Sequence, residues 1–158
     1  MKIRRFSIFL PAIVFCTTSF AFECAVSLPE AHNLASSDLK PYKGFTWVGS
    51  PRLAAQVPEN GHWIGMGPEY QFRDKWWWWR EGYNAHDEGK PALEITATML
   101  DGEAPPVHIP HATNAMSAHN PPRWHRILTL MEFPTPGCWE VTATYYENEL
   151  KFVFQVGG

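Results

Sequence analysis

The 158-residue chain reads as an all-β protein, an antiparallel sandwich of short strands. Three observations predict this. Proline recurs about every ten residues, at Pro41, Pro51, Pro58, Pro68, Pro91, Pro105, Pro106, Pro110, Pro121 and Pro122. Each one removes a backbone donor and breaks a helix, which favours strands joined by turns. No stretch of useful length repeats its apolar residues at helical spacing, and residues 29–39 offer a helical turn or two at most, weakened by Pro29 and the pair Ser36 and Ser37. Toward the C-terminus, apolar and polar residues alternate strictly, the pattern of half-buried strands.

The chain starts with what reads as an address. Lys2, Arg4 and Arg5 precede a short apolar run over residues 8–15, and Ser19 and Ala21 place small residues at −3 and −1 of a cleavage site, the layout of a secretory signal peptide. The run is shorter than the roughly 20 residues of a membrane-spanning helix. Neither Cys16 nor Cys24 follows a small residue, so a lipoprotein signal is disfavoured. Residues 1–21 are expected to be removed, leaving 22–158 as a single exported domain, periplasmic or extracellular, with no transmembrane segment. Cys16 leaves with the signal. Cys24 and Cys138 remain, and two cysteines in an oxidising compartment predict one disulfide.

Early strands are expected around residues 45–48, 62–66 and 76–80. Leu93–Met99 alternates without a fault: Leu93, Ile95, Ala97 and Met99 take one face, and Glu94, Thr96 and Thr98 the other. Asp101-Gly102 then turns the chain. Residues 126–133 form a strand that is apolar on both faces in its middle. Residues 138–145 put Trp139, Val141, Ala143 and Tyr145 on one face, and residues 150–156 return with Leu150, Phe152, Phe154 and Val156 inward, after a turn at Glu147 and Asn148. About seven such strands suggest a sandwich, and a domain of this size buries enough surface to form a core.

The spelling Phe133-Pro-Thr-Pro-Gly137-Cys138-Trp139-Glu-Val141-Thr resembles the end of bacterial immunoglobulin-like domains, in particular a group of small exported proteins of uncharacterised function. The likeness covers about residues 93–156. It implies an immunoglobulin-like antiparallel sandwich in which Gly137 makes a corner and Cys138 and Trp139 are structural. It implies little about activity, because such folds host many functions.

Composition excludes some classes. Lys and Arg total 13 against 16 Asp and Glu, so no cationic surface is available for nucleic acid. An apolar fraction of 45% is too high for a disordered chain. Nucleotide-binding glycine patterns and a G-x-S-x-G elbow are missing, and Gly65-Met-Gly67 runs into Pro68 and reads as a turn. Asp74 with Glu69, or Asp87 with Glu88, would be the carboxylate pair of a hydrolase, but carboxylates are plentiful and nothing singles these out.

Two features remain as candidate sites. The run Trp76, Trp77, Trp78 and Trp79 must present two indoles to each face of a strand. One pair can fill the core; the other, with Tyr83 and Trp63 nearby and Lys75, Arg80 and Glu81 as hydrogen-bonding neighbours, suits a protein or glycan of the cell envelope. The expected function is therefore non-catalytic recognition, needing no cofactor. The alternative is copper or zinc handling by His108, His111, Met116 and His119, since imidazole with thioether suits copper and imidazoles alone suit zinc.

Overall fold

A computed structural model describes residues 23–30, 34, 39–65, 72–116 and 125–157. Ten strands run in chain order: β1 (Phe45–Ser50), β2 (Leu53–Pro58), β3 (His62–Trp63), β4 (Arg73–Trp79), β5 (Leu93–Met99), β6 (Val107–Ile109), β7 (Thr113–Met116), β8 (His125–Glu132), β9 (Gly137–Tyr145) and β10 (Asn148–Val156). They form two five-stranded sheets, ordered β1-β2-β4-β8-β7 and β3-β10-β9-β5-β6. The sheets pack face to face as a β-sandwich. All ladders are antiparallel except the short β3–β10 pair. Among the described residues no helix is long and apolar enough to cross a membrane.

The alternation in the C-terminal half sets the second sheet. Ile95 and Phe152, on β5 and β10, stand opposite Ala143 and Val141 of β9, all of them buried. Polar residues such as Thr96 and Thr142 pair on the outer side. The first sheet contributes Trp76, Trp78, Ile127, Met131, Val48, Ala55 and Val57 to the same core. Its centre is aromatic: the Trp76 ring lies 5.9 Å from Phe152 and 5.1 Å from Phe154, and Phe133 lies 5.2 Å edge-on to Trp139. Such edge and offset pairs add to the burial itself.

β5, β9 and the return strand match the sequence reading closely, with the final turn one residue earlier, at Tyr146 and Glu147. β2 and the pair β6 and β7 were not expected. β2 is buried along its whole length, so it shows no alternation. β6 and β7 lie in a Pro-bounded segment and are short. Met66 and most of residues 29–39 lie outside the described residues, as does the expected signal segment 1–21.

The corner after β8 closes at Gly137. Gly137 has φ +146, and a Cβ there would collide with the Met99 methyl. The bare backbone lets Cys138 N–H donate to Asp101 Oδ1 at 2.8 Å, while Trp139 Nε1 donates to the Thr135 carbonyl at 3.2 Å.

Residues 24–30 act as a strap along one side of the sandwich. Cys24 is disulfide-bonded to Cys138 on β9, with 5.3 Å between Cα atoms. Ser27 pairs with Val153 of β10 through two backbone hydrogen bonds of 2.9 and 3.0 Å. Glu30 bridges to Val48 of β1. The strap thus passes from the edge of one sheet to the edge of the other, covering backbone groups that open edges leave unpaired.

Candidate functional site

Pleating divides the tryptophans of β4. Trp76 and Trp78 are 3% and 0% exposed and belong to the core. Trp78 Nε1 donates to Thr129 Oγ1 at 2.8 Å, which satisfies the indole inside the protein. Trp63 is likewise in the core, edge-on to Trp76 at 5.9 Å. These three side chains are part of the core between the sheets.

Trp77 and Trp79 point to the outer side of the first sheet and are half-buried. The register arranges that face in rows. Trp47 stands opposite Gln56, and Trp77 opposite Leu128, which faces Thr113. The next row holds Gly49, Ala54 and Trp79, with Arg126 opposite Ala115. Lys75 and Leu130 form a third row, at which Leu130 is 44% exposed. Ala54, small and fully buried, packs among Leu39, Trp47, Trp77 and Trp79.

A segment before β1 lies over part of this face. Leu39 packs with Trp47 and Ala54, and Trp47 Nε1 donates to the Leu39 carbonyl at 2.6 Å. Tyr42, 48% exposed, meets Trp77 edge-on at 6.2 Å. The Arg126 guanidinium sits 5.3 Å from the Trp47 ring centroid and 5.9 Å from that of Tyr42. Burial lowers its pKa, opposed by the nearby Tyr42, yet an arginine stays charged at any physiological pH. A cation over aromatic faces is a favourable arrangement. The outer face is therefore a partly covered aromatic strip of Trp47, Trp77, Trp79 and Tyr42 around one guanidinium.

Tyr83 and Arg80, expected beside this surface, belong elsewhere. Arg80 follows the core-facing side of β4 and turns into a polar clasp at the end of the sandwich. Its guanidinium lies 5.7 Å from the Tyr83 ring centroid, 5.4 Å from that of Tyr145 and 3.8 Å from Glu88. The Tyr145 hydroxyl donates to the Glu88 carboxylate, and Tyr146 donates to it at 3.1 Å. Tyr83 donates to Asn114 Oδ1, whose amide nitrogen donates to the carbonyls of Ala85 at 3.1 Å and Glu88 at 2.6 Å. The clasp pins residues 80–92 to β7 and β9. Burial pushes the Tyr145 hydroxyl up to about 12; the Arg80 hydrogen bond opposes this and Glu88 adds to it. Burial, with Glu88, also raises Tyr83. Arg80 is raised despite its desolvation, chiefly by Tyr145 and Glu88. Glu88 is thus fully engaged by structural partners, Asp87 accepts from Asn84 at 2.6 Å, and Glu69 lies outside the described residues.

The histidine–methionine segment is divided between the sheets. His108 pairs with Thr96 and lies in the second sheet; Met116 pairs with His125 and lies in the first. His111 is exposed on the crossing between them, and His119 lies outside the described residues. Among the described residues no group of three or more His, Cys, Asp and Glu is placed to hold a metal ion. A neighbouring pair that sequence spacing does not announce is His86 and His125, whose rings are 5.3 Å apart. His125 Nδ1 accepts the Ala85 N–H at 3.0 Å. This contact ties the His125 ring to the loop at Ala85.

The chain matches no protein-family model, no curated protein and no solved structure.

Proposed function

We propose that this chain is an exported, non-catalytic recognition module that takes a glycan of the cell envelope on the outer face of its first sheet. The observation that carries this reading is the placement of Trp77 and Trp79 outside a core already filled by Trp76, Trp78 and the phenylalanines. Indole faces with polar N–H groups suit the apolar faces of sugar rings, and Lys75 on the same side of β4 adds a hydrogen-bond donor. A glycan fits better than a flat protein surface. The indoles are recessed, and the large exposed apolar residues here are Tyr42 and Leu130. A protein partner would need roughly 800 Å² of open surface.

Two further elements support the setting. The signal-like layout of residues 1–21 and the Cys24–Cys138 bridge suit an oxidising compartment outside the cytoplasm, periplasmic in a cell with two membranes. The order β2-β4-β8-β7 against β10-β9-β5-β6 follows the A-B-E-D and G-F-C-C′ order of immunoglobulin-like domains, with β1 and β3 added at the edges.

The test is calorimetric titration of envelope-type oligosaccharides into the oxidised protein and into Trp77→Ala and Trp79→Ala. Binding that is lost in both variants, with their folds intact by circular dichroism, is the expected result. Binding unchanged in both, or capture of an envelope protein instead of a glycan by the same face, overturns it.

A further inference from the structure

Residues 84–89 form a turn that holds its own shape. The carbonyl of Asn84 accepts the Asp87 and Glu88 N–H groups at 3.1 and 3.2 Å, and its side-chain oxygen accepts the His86 N–H at 3.0 Å. Asparagine opens turns in this way because its short amide reaches the backbone two residues on. The ties from the turn to the sandwich are of another kind. Asn114 of β7 donates to the carbonyls of Ala85 and Glu88, and the Glu88 carboxylate is held by Tyr145, Tyr146 and Arg80. A further tie is the Ala85 N–H, which donates to His125 Nδ1 at 3.0 Å. Ala85 is buried and belongs to the core, so its N–H needs an acceptor from the protein for as long as the turn stays seated.

We infer that His125 is a pH-operated latch, which seats the 84–89 turn when neutral and releases it when protonated. A neutral imidazole offers a lone pair at one ring nitrogen; an imidazolium donates at both and accepts at neither. The added proton goes to the nitrogen that was accepting. It sets two donors face to face and leaves a buried N–H unanswered until the turn moves out to water. His125 is half-buried and His86 is exposed, so protons reach both rings. Charge acts in the same direction. The His86 ring is 5.3 Å from that of His125, and Arg80 of the clasp already brings a cation to this end of the sandwich. Asp87 and Glu88 are the opposing charges on the turn, but Asp87 accepts from Asn84 and Glu88 is shared among two tyrosines and Arg80. β7 places Met116 opposite His125 and adds no ionisable group. Imidazoles ordinarily titrate at about 6.5 and carboxylates at about 4, so mild acid acts on the histidines first. Release of the turn takes Glu88 away from Tyr145 and Tyr146 and opens the clasp.

The experiment uses the oxidised protein at about pH 7.5 and about pH 5.5, on either side of the ordinary imidazole range. Hydrogen exchange of residues 80–92 is read by mass spectrometry, corrected for the pH dependence of an unstructured amide, and the titration of the His125 ring is followed by NMR. Expected is a loss of protection of about tenfold in this segment at the lower pH, with β9 unchanged and a midpoint that coincides with the titration of His125. In His125→Asn, whose side-chain oxygen takes the place of Nδ1 and accepts without titrating, the segment should stay protected at both pH values. In His86→Ala the acid-induced loss should remain. Equal protection of the wild-type segment at the two pH values overturns the inference. So does a loss that persists in His125→Asn, vanishes in His86→Ala, or has a midpoint apart from that of His125. Should His125→Asn fail to fold, the agreement or disagreement of the two wild-type midpoints decides.

Discussion

Replacing Cys24 with alanine tests how much of the stability comes from closing the chain. The bridge spans 114 residues. In the chain-entropy description a closed loop of that length removes about 16 cal/mol/K from the unfolded ensemble, or about 4.8 kcal/mol at 25 °C. That is a large share of the roughly 5–15 kcal/mol that holds a typical domain together. Cys24 is the better member to change. Cys138 is fully buried, so altering it would add a cavity, whereas Cys24 is partly exposed. The two backbone hydrogen bonds between Ser27 and Val153 remain in the variant and keep the strap's register. The loss therefore belongs mainly to the unfolded state. Urea denaturation followed by tryptophan emission should show the midpoint falling by about 2–3 M, given a slope near 2 kcal/mol/M that stays unchanged. A loss under about 1.5 kcal/mol at unchanged slope would refute the reasoning, because it would mean that the unfolded chain is already held together without the bridge.

Other outcomes follow from the same contacts. Trp78→Ala should cost about 3–5 kcal/mol in chemical denaturation, by opening a cavity and stranding Thr129, while Trp77→Ala should cost about 1 kcal/mol or less. Equal costs would show that the two faces of β4 are not as different as their burial implies. Tyr145 titrates at about 10 in an unfolded chain and is pushed up to about 12 in the fold, so the unfolded state loses its proton first. The contribution of this group should be fully present below pH 10 and be lost between pH 10 and 12, and Tyr145→Phe should make that alkaline fall shallower, measured by denaturation at stepped pH. Gly137→Ala should lower the melting temperature by several degrees, since a Cβ meets the Met99 methyl and Asp101 in a conformation that L side chains avoid. Asn114→Ala should speed proteolysis within residues 80–92, read by mass spectrometry, because the carbonyls of Ala85 and Glu88 lose their donor.

The strands most sharply legible in the amino-acid order are those with one wet and one dry face. Leu93–Met99 was legible because Glu94, Thr96 and Thr98 face water. β2 was hidden for the opposite reason: the core lies on one side, and Leu39 and Trp47 cover the other, so Leu53, Ala54, Ala55, Gln56 and Val57 carry no period. The division of the four tryptophans was legible as a division, since pleating demands it, but which pair faces in depends on Ala55, Ile127 and Phe152 arriving from distant positions. Tyr83 is close to the tryptophans in sequence and joins the clasp because its hydroxyl donates to Asn114 and its ring faces the Arg80 guanidinium. Gln56 gave no signal at all: a lone glutamine in an apolar run becomes notable only when its neighbours leave its amide unanswered.

The strap along the sandwich also orders events in time. A polypeptide emerges N-terminus first, so Cys24 and Ser27 are among the earliest of the described residues to appear, whereas Cys138 and Val153, which hold them, come among the last. The parallel partner of β3 is β10 as well, so His62 and Trp63 share the wait. Until the final hairpin has been delivered, the strap has no strand to lie on and Cys24 lacks Cys138, its partner among the described residues. Covalent closure therefore cannot precede the arrival of β9: the oxidation state of Cys24 reports whether the growing chain has reached Cys138, and the strap is seated only when β10 follows.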